Sequence, residues 1–171
     1  MLEKEIKLLA GLLLKMLKEC GDFIPEGVWL IIHKIFALPY LELAIVRQVN
    51  GEVEILLTHR VDKYWSGWHI PGGLWRTHQT LEAGIASIAK NELGIEVELL
   101  AIGVWEKWMN HPYGYPISHV VICSPKTEII ETGKLGWFHT VPSGMIEDGG
   151  HHVTFIESVF QQVRNQNLLP C

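Results

Sequence analysis

The chain has 171 residues, 48% of them apolar, which predicts one domain with a sizeable hydrophobic core. Its formal net charge of -5 argues against a nucleic-acid backbone as the main partner. No apolar run is long and uninterrupted enough for a membrane span or a secretory signal, so we expect no membrane partner. Cys20, Cys123 and Cys171 fit no metal or redox spacing, which favours a reduced, cytoplasmic setting.

Two helices are predicted at the start of the chain. Apolar residues recur at helical spacing over residues 2–19, which predicts an amphipathic helix that stops at Gly21. Its broad apolar surface should be covered by the domain's own sheet or by a second subunit. A membrane-surface helix is less favoured, because glutamates accompany its lysines. A second helix is predicted between Pro25 and Pro39. We therefore expect a helical extension, residues 1–38, packed on a domain spanning 39–171, and a homodimer.

A β-hairpin and a glycine-rich turn are predicted next. The alternating segments 41–46 and 52–57 flank Asn50-Gly51, a strong signal for a two-residue hairpin turn. A short aromatic and β-branched strand, residues 68–70, then leads into Pro71-Gly72-Gly73. These glycines interrupt regular structure and let the backbone approach a ligand closely.

A central helix is predicted after this turn. Thr80 is a good N-cap, and Gly94 follows the last periodic residue, where a left-handed cap is usual. The apolar residues between them recur at helical spacing and predict one buried face. Its members are Leu81, Ile85, Ile88 and Ala89.

Further strands and a last helix complete the predicted fold. Strands are expected over 95–105 and 117–123, followed by a turn at Gly133-Lys134 and a helix from about His152. Adjacent side chains seldom point together, so we interpret the glycines and histidines at 149–152 as a loop and helix start. We interpret His119, on an apolar strand, as a core histidine. Helices around a mixed sheet predict an α/β (α+β) fold, arranged as an α/β/α sandwich.

The segment from Gly73 to Ile95 resembles the signature of the Nudix superfamily, G-x5-E-x7-R-E-U-x-E-E-x-G-U, where U is aliphatic. The length and both ends match without a gap. The four glutamate positions hold Gln79, Ile88, Asn91 and Glu92, and the arginine position holds Ser87. The box is therefore degenerate. The resemblance implies a Nudix-like sandwich and a hydrolase of nucleoside-diphosphate derivatives that uses Mg²⁺ or Mn²⁺.

A narrower resemblance, to GDP-mannose mannosyl hydrolases, extends beyond the box. Gly103-Val104-Trp105 and the strand around Ser118-His119 are similar to segments that follow the box in that subgroup. The subgroup has a metal-ligating Gln and a base His just before a late Trp. Counting back from Trp137 puts Glu131 and Thr132 at those positions. The resemblance thus implies Glu131 as a metal ligand and leaves the catalytic base unknown.

The candidate metal ligands are Glu92, Glu131 and the backbone carbonyl of Gly72. Positions 88, 91 and 92 are three and four residues apart, so they are expected to share a helix face turned toward the glycine loop. Mg²⁺ often needs only one or two carboxylates together with phosphate oxygens and water. The sequence therefore predicts a weakly bound Mg²⁺ or Mn²⁺.

The candidate substrate-binding residues are Arg60, Trp65, Gly73, Trp75 and Lys107. The guanidinium fork of Arg60 suits a diphosphate, although a structural ion pair is an equal alternative. Trp65 and Trp75 suit stacking on a base or sugar, and equally a dimer surface. Lys107 suits a phosphate.

Two functions fit these residues. The first is a divergent, metal-dependent Nudix hydrolase of a nucleotide sugar or another nucleoside-diphosphate derivative. The alternative is a non-catalytic Nudix-fold module that binds a nucleotide-like ligand or self-associates. The residues that replace the acids favour the alternative, whereas the intact glycine loop, Glu92 and Gly94 favour retained binding. We place the hydrolase first, because the narrower subgroup already works with fewer acids.

Overall fold

Helices lie on both faces of a seven-stranded mixed sheet in the computed structural model, which describes residues 2–19, 25–109, 111–112 and 114–169. The helices are α1 (Leu2–Glu19), α2 (Glu26–Ile35), α3 (Leu81–Ile88) and α4 (His151–Gln166), and a π-helical turn, Ala89–Leu93, continues α3. The strands are β1 (Pro39–Val49), β2 (Glu52–Val61), β3 (Ser66–His69), β4 (Gly72–Leu74), β5 (Val97–Lys107), β6 (Ile117–Pro125) and β7 (Leu135–Phe138).

The sheet has the order β3-β2-β1-β6-β5, with β4 paired to β1 and β7 paired to β2. β1 pairs with β6 in parallel, while its pairing with β2 is the antiparallel hairpin predicted from the sequence. Asn50 and Gly51 form the turn, with φ of 51° and 84°. Both values lie in the left-handed region that Asn-Gly adopts most readily. The hairpin prediction is therefore confirmed.

Two hydrophobic clusters fill the space between the sheet and the helices. On one face, residues such as Ala44, Ile55 and Ile122 pack against Phe155 and Ile156 of α4. On the other face, a second set of strand residues packs against α3. This cluster includes Leu41, Leu43 and Val121 of the strands and Ile85 and Ile88 of α3. Alternate residues of β1 and β6 thus point to opposite helices. This arrangement confirms the predicted α/β/α sandwich.

The N-terminal helix α1 leaves its apolar side chains open to solvent. Leu2, Ile6, Leu8, Leu9, Leu12 and Leu14 are each more than half exposed. None of the described α1 residues belongs to either core cluster, so the domain's own sheet does not cover this surface. Cover by a second subunit, and the division of the chain at residue 38, remain predictions.

Some sequence expectations fall outside the described residues. Cys20, Gly21 and Cys171 lie there, so the predicted helix stop at Gly21 cannot be compared. Cys123 is a buried free thiol, and burial raises its pKa to about 12. Within the described part of the chain, none of the helices is long and apolar enough to cross a membrane.

Candidate ligand site

The glycine loop is held against both β1 and α3. Gly72 and Gly73 pair with Glu42 and Leu41 of β1. A Cβ atom on Gly73 would lie 3.5 Å from the side chain of Ile88, so the loop packs on the end of α3. The glycine turn and the central helix that the sequence predicts are therefore in contact.

The ends of the central helix agree with its sequence signals. The hydroxyl of Thr80 accepts a hydrogen bond from the backbone N–H of Ala83 at 3.2 Å, as expected of an N-cap. Gly94 has a φ of 69° and ends the helical segment in the left-handed conformation. Both predictions are confirmed.

The last turn of this helix differs from the expected regular α-helix. The π-helical turn at Ala89–Leu93 places one extra residue between hydrogen-bonded groups, a change that the sequence pattern does not predict. Ile88 faces the glycine loop and is buried, whereas Asn91 and Glu92 are exposed. Of the three positions expected to face the loop, Ile88 is the one buried against it, and Asn91 and Glu92 are open to solvent.

Glu131 belongs to a group of charged side chains that lies away from the glycine loop. Its carboxylate is 3.8 Å from Nη2 of Arg47, whose Nε donates to Glu54 at 2.7 Å. Gly72 pairs with Glu42, which precedes Arg47 by five residues on β1. At about 3.3 Å per residue, the two positions are about 17 Å apart along the strand. The structure does not bring Glu131 and Gly72 together as ligands of one metal.

The donor set that remains does not fit a resident metal centre. Glu92 is exposed, and none of the described residues forms a group of three or more His, Cys, Asp or Glu side chains able to hold a metal ion. A single carboxylate offers Mg²⁺ only one of the several oxygen ligands it needs. We therefore derive no catalytic step through a metal from this geometry.

Arg60 is engaged in an ion pair. Its Nε donates to the carboxylate of Asp62, and the other oxygen of that carboxylate accepts from the backbone N–H groups of Tyr64 and Trp65 at 2.8 and 3.0 Å. Arg60 therefore forms the structural ion pair that the sequence offered as an alternative to diphosphate binding. Substrate binding by Arg60 would have to compete with Asp62.

Trp65 lies inside the protein. Only 8% of its surface is exposed, and it packs with Trp108 and Ile146, with its ring centroid 5.6 Å from that of Trp108. Neither an open stacking surface nor a dimer surface is available at this position. The structure thus contradicts both roles expected for Trp65, because the loop between β2 and β3 folds it inward.

Trp75 is half-buried beside α3, and Lys107 is exposed on β5. The indole of Trp75 lies on Gly84, where an added Cβ would come within 2.9 Å of it, and its N–H donates to the backbone carbonyl of Gln79 at 3.2 Å. The ammonium of Lys107 is 5.3 Å from the ring centre of Tyr115. Both residues can contact a ligand without rearrangement of the core.

A buried charged network was missed by the sequence reasoning. His152 donates from Nδ1 to Asp148 at 2.5 Å, and its Nε2 lies 3.8 Å from Glu42. The hydroxyl of Ser118 donates to Glu42 at 3.0 Å. All four residues are at most 4% exposed. An acid within an apolar strand, at Glu42, was the one available sequence signal, since buried acids are rare unless they are paired.

The two carboxylates keep His152 charged. Burial alone would lower the pKa of this imidazole, but Asp148 and Glu42 raise it to about 9. Burial also acts to raise the pKa of Glu42 and of Asp148, yet the hydrogen bonds and charges around them, chiefly those of His152, hold both pKa values below the usual range. The network is thus a buried imidazolium between two carboxylates.

The buried network contacts the glycine loop through Glu42. A Cβ atom on Gly72 would collide with the carboxylate of Glu42 and lie 2.7 Å from the carbonyl oxygen of Leu41. Only glycine fits so close to the buried acid. The network therefore positions the loop, while its burial keeps it out of reach of a ligand.

Aromatic and histidine rings surround the network near the start of α4. The rings of Trp108 and His151 are stacked, with centroids 4.6 Å apart. Burial lowers the pKa values of His69 and His111 to about 4. α4 begins at His151, after Gly150, which confirms the predicted loop and helix start. His119 is only half-buried, so it is not the core histidine we expected.

The family model of the NUDIX domain matches residues 43–134, more than half of the chain. The matched region contains the hairpin, the glycine loop, α3 and the strands β5 and β6. This chain therefore belongs to the Nudix family.

Solved structures of the same fold agree with this assignment. A UDP-X diphosphatase is 16% identical, with a TM-score of 0.58 over 93% of this chain and 82% of that one. The Nudix domain of Shewanella oneidensis NrtR, complexed with ADP ribose, is 13% identical, with a TM-score of 0.53 over 85% and 97%. An ADP-ribose pyrophosphatase from Streptococcus suis is 19% identical, with a TM-score of 0.54 over 75% and 93%. At these identities the likeness shows the fold alone.

Proposed function

We propose that this protein is a divergent Nudix hydrolase that acts on a nucleoside-diphosphate derivative, with nucleotide sugars as the first candidates. The observation that carries the proposal is the packing of the glycine loop on α3. Gly73 rests on Ile88, and the helical segment still ends at a left-handed Gly94. Such a loop lets a phosphate approach the backbone closely.

The similar structures support this class of ligand. The NrtR Nudix domain is complexed with ADP ribose, and two other proteins of the same fold are described as an ADP-ribose pyrophosphatase and a UDP-X diphosphatase. All of these molecules contain a diphosphate attached to a nucleoside. We extend this class, and not a particular sugar or base, to the present protein. The narrower resemblance to GDP-mannose mannosyl hydrolases remains a prediction.

The proposal includes a metal ion that is only weakly bound by the protein. Glu92 is exposed at the end of the helical segment, where it can contact a hydrated Mg²⁺ or Mn²⁺ that the ligand's own phosphates bring with them. Glu131 is not included, because it lies beside Arg47 at the other end of β1.

A non-catalytic ligand-binding module is the second candidate. Ile88 occupies a glutamate position of the family signature and is buried against Gly73. At the arginine position and another glutamate position, Ser87 and Asn91 hydrogen-bond to each other at 3.4 Å. These contacts replace acids that would otherwise activate water or hold metal.

Calorimetric titration separates the two candidates. ADP-ribose, GDP-mannose and UDP-glucose would be titrated with Mg²⁺ and with EDTA, and each mixture followed for product by chromatography. Metal-dependent turnover that Glu92→Gln abolishes supports the hydrolase. Binding without turnover supports the module. If none of the three ligands binds, both candidates are overturned.

We also propose a cytoplasmic homodimer. The described cysteine, Cys123, is a free thiol, as expected in a reducing compartment. The open apolar surface of α1 supplies an area that a second copy can cover.

A further inference from the structure

We propose that three rings beside α3 form a stacking platform for the base of the ligand. The platform consists of Trp75, His119 and Trp105. This inference rests on the proposed function, because it assigns the position of one part of a nucleoside-diphosphate ligand.

The platform lies in one row with the glycine loop. Leu41 of β1 pairs with Gly73 on one side and with His119 of β6 on the other. His119 in turn pairs with Trp105 of β5. Neighbouring strands are about 4.8 Å apart, so the row runs about 14 Å from Gly73 to Trp105.

The row faces the helix that carries the family signature. Leu41 belongs to the cluster packed on α3, and Gly73 rests on Ile88 of the same helix. Register partners point to the same side of a sheet, so His119 and Trp105 lie on this face as well. They lie beyond the part of the sheet that α3 covers, since Trp105 is largely in solvent.

The exposure of Trp105 sets it apart from the core tryptophans. Trp65, Trp108 and Trp137 are each no more than 8% exposed, whereas Trp105 is 67% exposed. An indole left in water forgoes the burial that stabilises the others. Its ring stands 6.5 Å from His119 at an interplanar angle of 26°, which presents a flat aromatic surface.

Trp75 forms the wall of the platform next to α3. Its ring meets His119 edge-on, with centroids 6.2 Å apart and an interplanar angle of 79°. Because Gly84 has no Cβ, the indole can rest directly on α3, and the bond to Gln79 fixes its orientation. Lys107, two residues after Trp105 on β5, adds a positive charge beside the platform.

The arrangement fits an elongated ligand with a flat ring at one end and phosphates at the other. Every nucleobase has a π face, so aromatic stacking binds bases without requiring a particular sequence of donors and acceptors. The glycine loop offers close backbone approach at the phosphate end. Positive charge at Lys107 favours an anionic ligand. A nucleoside diphosphate has this shape and charge.

Affinities for a nucleotide and for a ligand without a base test the platform. We would titrate ADP-ribose and inorganic pyrophosphate into the wild type, Trp105→Ala, Trp105→Phe and Phe36→Ala. Phe36, at the end of α2, is a comparably exposed aromatic residue outside the platform. Trp105→Ala should weaken ADP-ribose binding roughly tenfold. It should leave pyrophosphate binding unchanged, while Trp105→Phe and Phe36→Ala stay close to the wild type.

Three other outcomes would overturn the platform. One is wild-type affinity of Trp105→Ala for ADP-ribose, which leaves the proposed function intact. The second is an equal loss for pyrophosphate, which would place the effect at the phosphates. The third is a change in oligomer size on light scattering, which would make Trp105 a subunit contact. If the wild type binds no nucleoside diphosphate at all, the proposed function itself fails.

Discussion

The charge on His152 makes the protein's stability depend on pH. Its pKa is raised from 6.5 to about 9, so its contribution is fully present below pH 6.5 and is lost as the pH rises through 9. A shift of this size corresponds to about 3 kcal/mol. Urea denaturation at pH 6.5 and at pH 9.5 should show a loss of this order.

His152→Gln is the matched variant for this pH dependence. It leaves Glu42 and Asp148 without their buried partner, so it should lower the free energy of unfolding by about 3 kcal/mol at pH 6.5. The variant should also lose the alkaline decline. An identical alkaline decline in His152→Gln would show that another group causes it.

On the acid side, other groups of the same region reduce stability. The pKa values of His69 and His111 are lowered to about 4, so their contributions are present above pH 6.5 and are lost as the pH falls toward 4. The lowered pKa values of Glu42 and Asp148 act in the same direction. Stability should therefore be highest near pH 6.5.

The closeness of Gly72 to Glu42 gives a second prediction at the scale of single residues. Gly72→Ala would force a methyl group into the buried carboxylate, and overpacking of this kind costs about 1–3 kcal/mol. Gly133→Ala is the control, because an added Cβ there meets no atom within 4 Å. The free energy of unfolding from urea titration compares the two variants. Equal stability would mean that the loop can move away from Glu42.

Local signals in the sequence were sufficient for turns and caps, but not for the buried network. Asn50-Gly51, Thr80 and Gly94 act through the backbone within a few residues, so their roles were predictable. Glu42 and His152 meet only because β1 and α4 pack together, 110 positions apart in the sequence. The sequence around either residue does not predict contact with the other.

At the scale of the elements, substitution of Gly84 in α3 by alanine has two opposing effects on stability. Gly84→Ala raises helix propensity by about 1 kcal/mol, yet its methyl group would press on Trp75 and Leu41 at 2.9 and 3.0 Å. We expect displacement of Trp75, no net stabilisation and weaker binding of ADP-ribose. Thermal unfolding and calorimetry measure the two effects.

Gly11→Ala in α1 is the matched control for Gly84→Ala. It lies within a helix, and an added Cβ meets no atom within 4 Å, so only the propensity gain applies. If both variants were stabilised alike and ADP-ribose binding were unchanged, Trp75 would not depend on Gly84 for its position.

The helix itself was predictable, but its last turn was not. The spacing of Leu81, Ile85 and Ile88 fits an α-helix, and it is equally compatible with a π-helical turn that begins only at Ala89. Ala89 is fully buried against the sheet, so tertiary packing also acts on this turn.

At the scale of the whole molecule, the open surface of α1 predicts self-association. The sequence of α1 contains a series of apolar residues spaced four, three, four and three apart, the pattern of a coiled-coil seam. The series is Leu2, Ile6, Leu9, Leu13 and Met16. Light scattering should show a dimer for the wild type and a monomer for Leu9→Lys. Lys4→Gln, off the series, should remain dimeric, and a monomeric wild type would contradict the prediction.

The overall architecture followed from the sequence because each element carries its own period and the family signature fixes their order. The distribution of candidate residues did not. Trp65 was chosen by its side-chain chemistry and Glu131 by resemblance. The β2–β3 loop buries Trp65, and Glu131 lies beside Arg47, toward the far end of β1 from the glycine loop. Trp105 was noted only as part of a resemblance. Its pairing with His119 depends on long-range register.

The parallel pairing of β1 with β6 has a consequence for the order of folding. Residues 39–45 bond to residues 117–123, so the centre of the sheet closes a loop of almost eighty residues. Such contacts form slowly, because loop entropy is lost before any pairing energy is gained. During synthesis the β1–β2 hairpin therefore leaves the ribosome well before its central partner. Until β6 emerges, the apolar edge of β1 is open to chaperones and to other nascent chains.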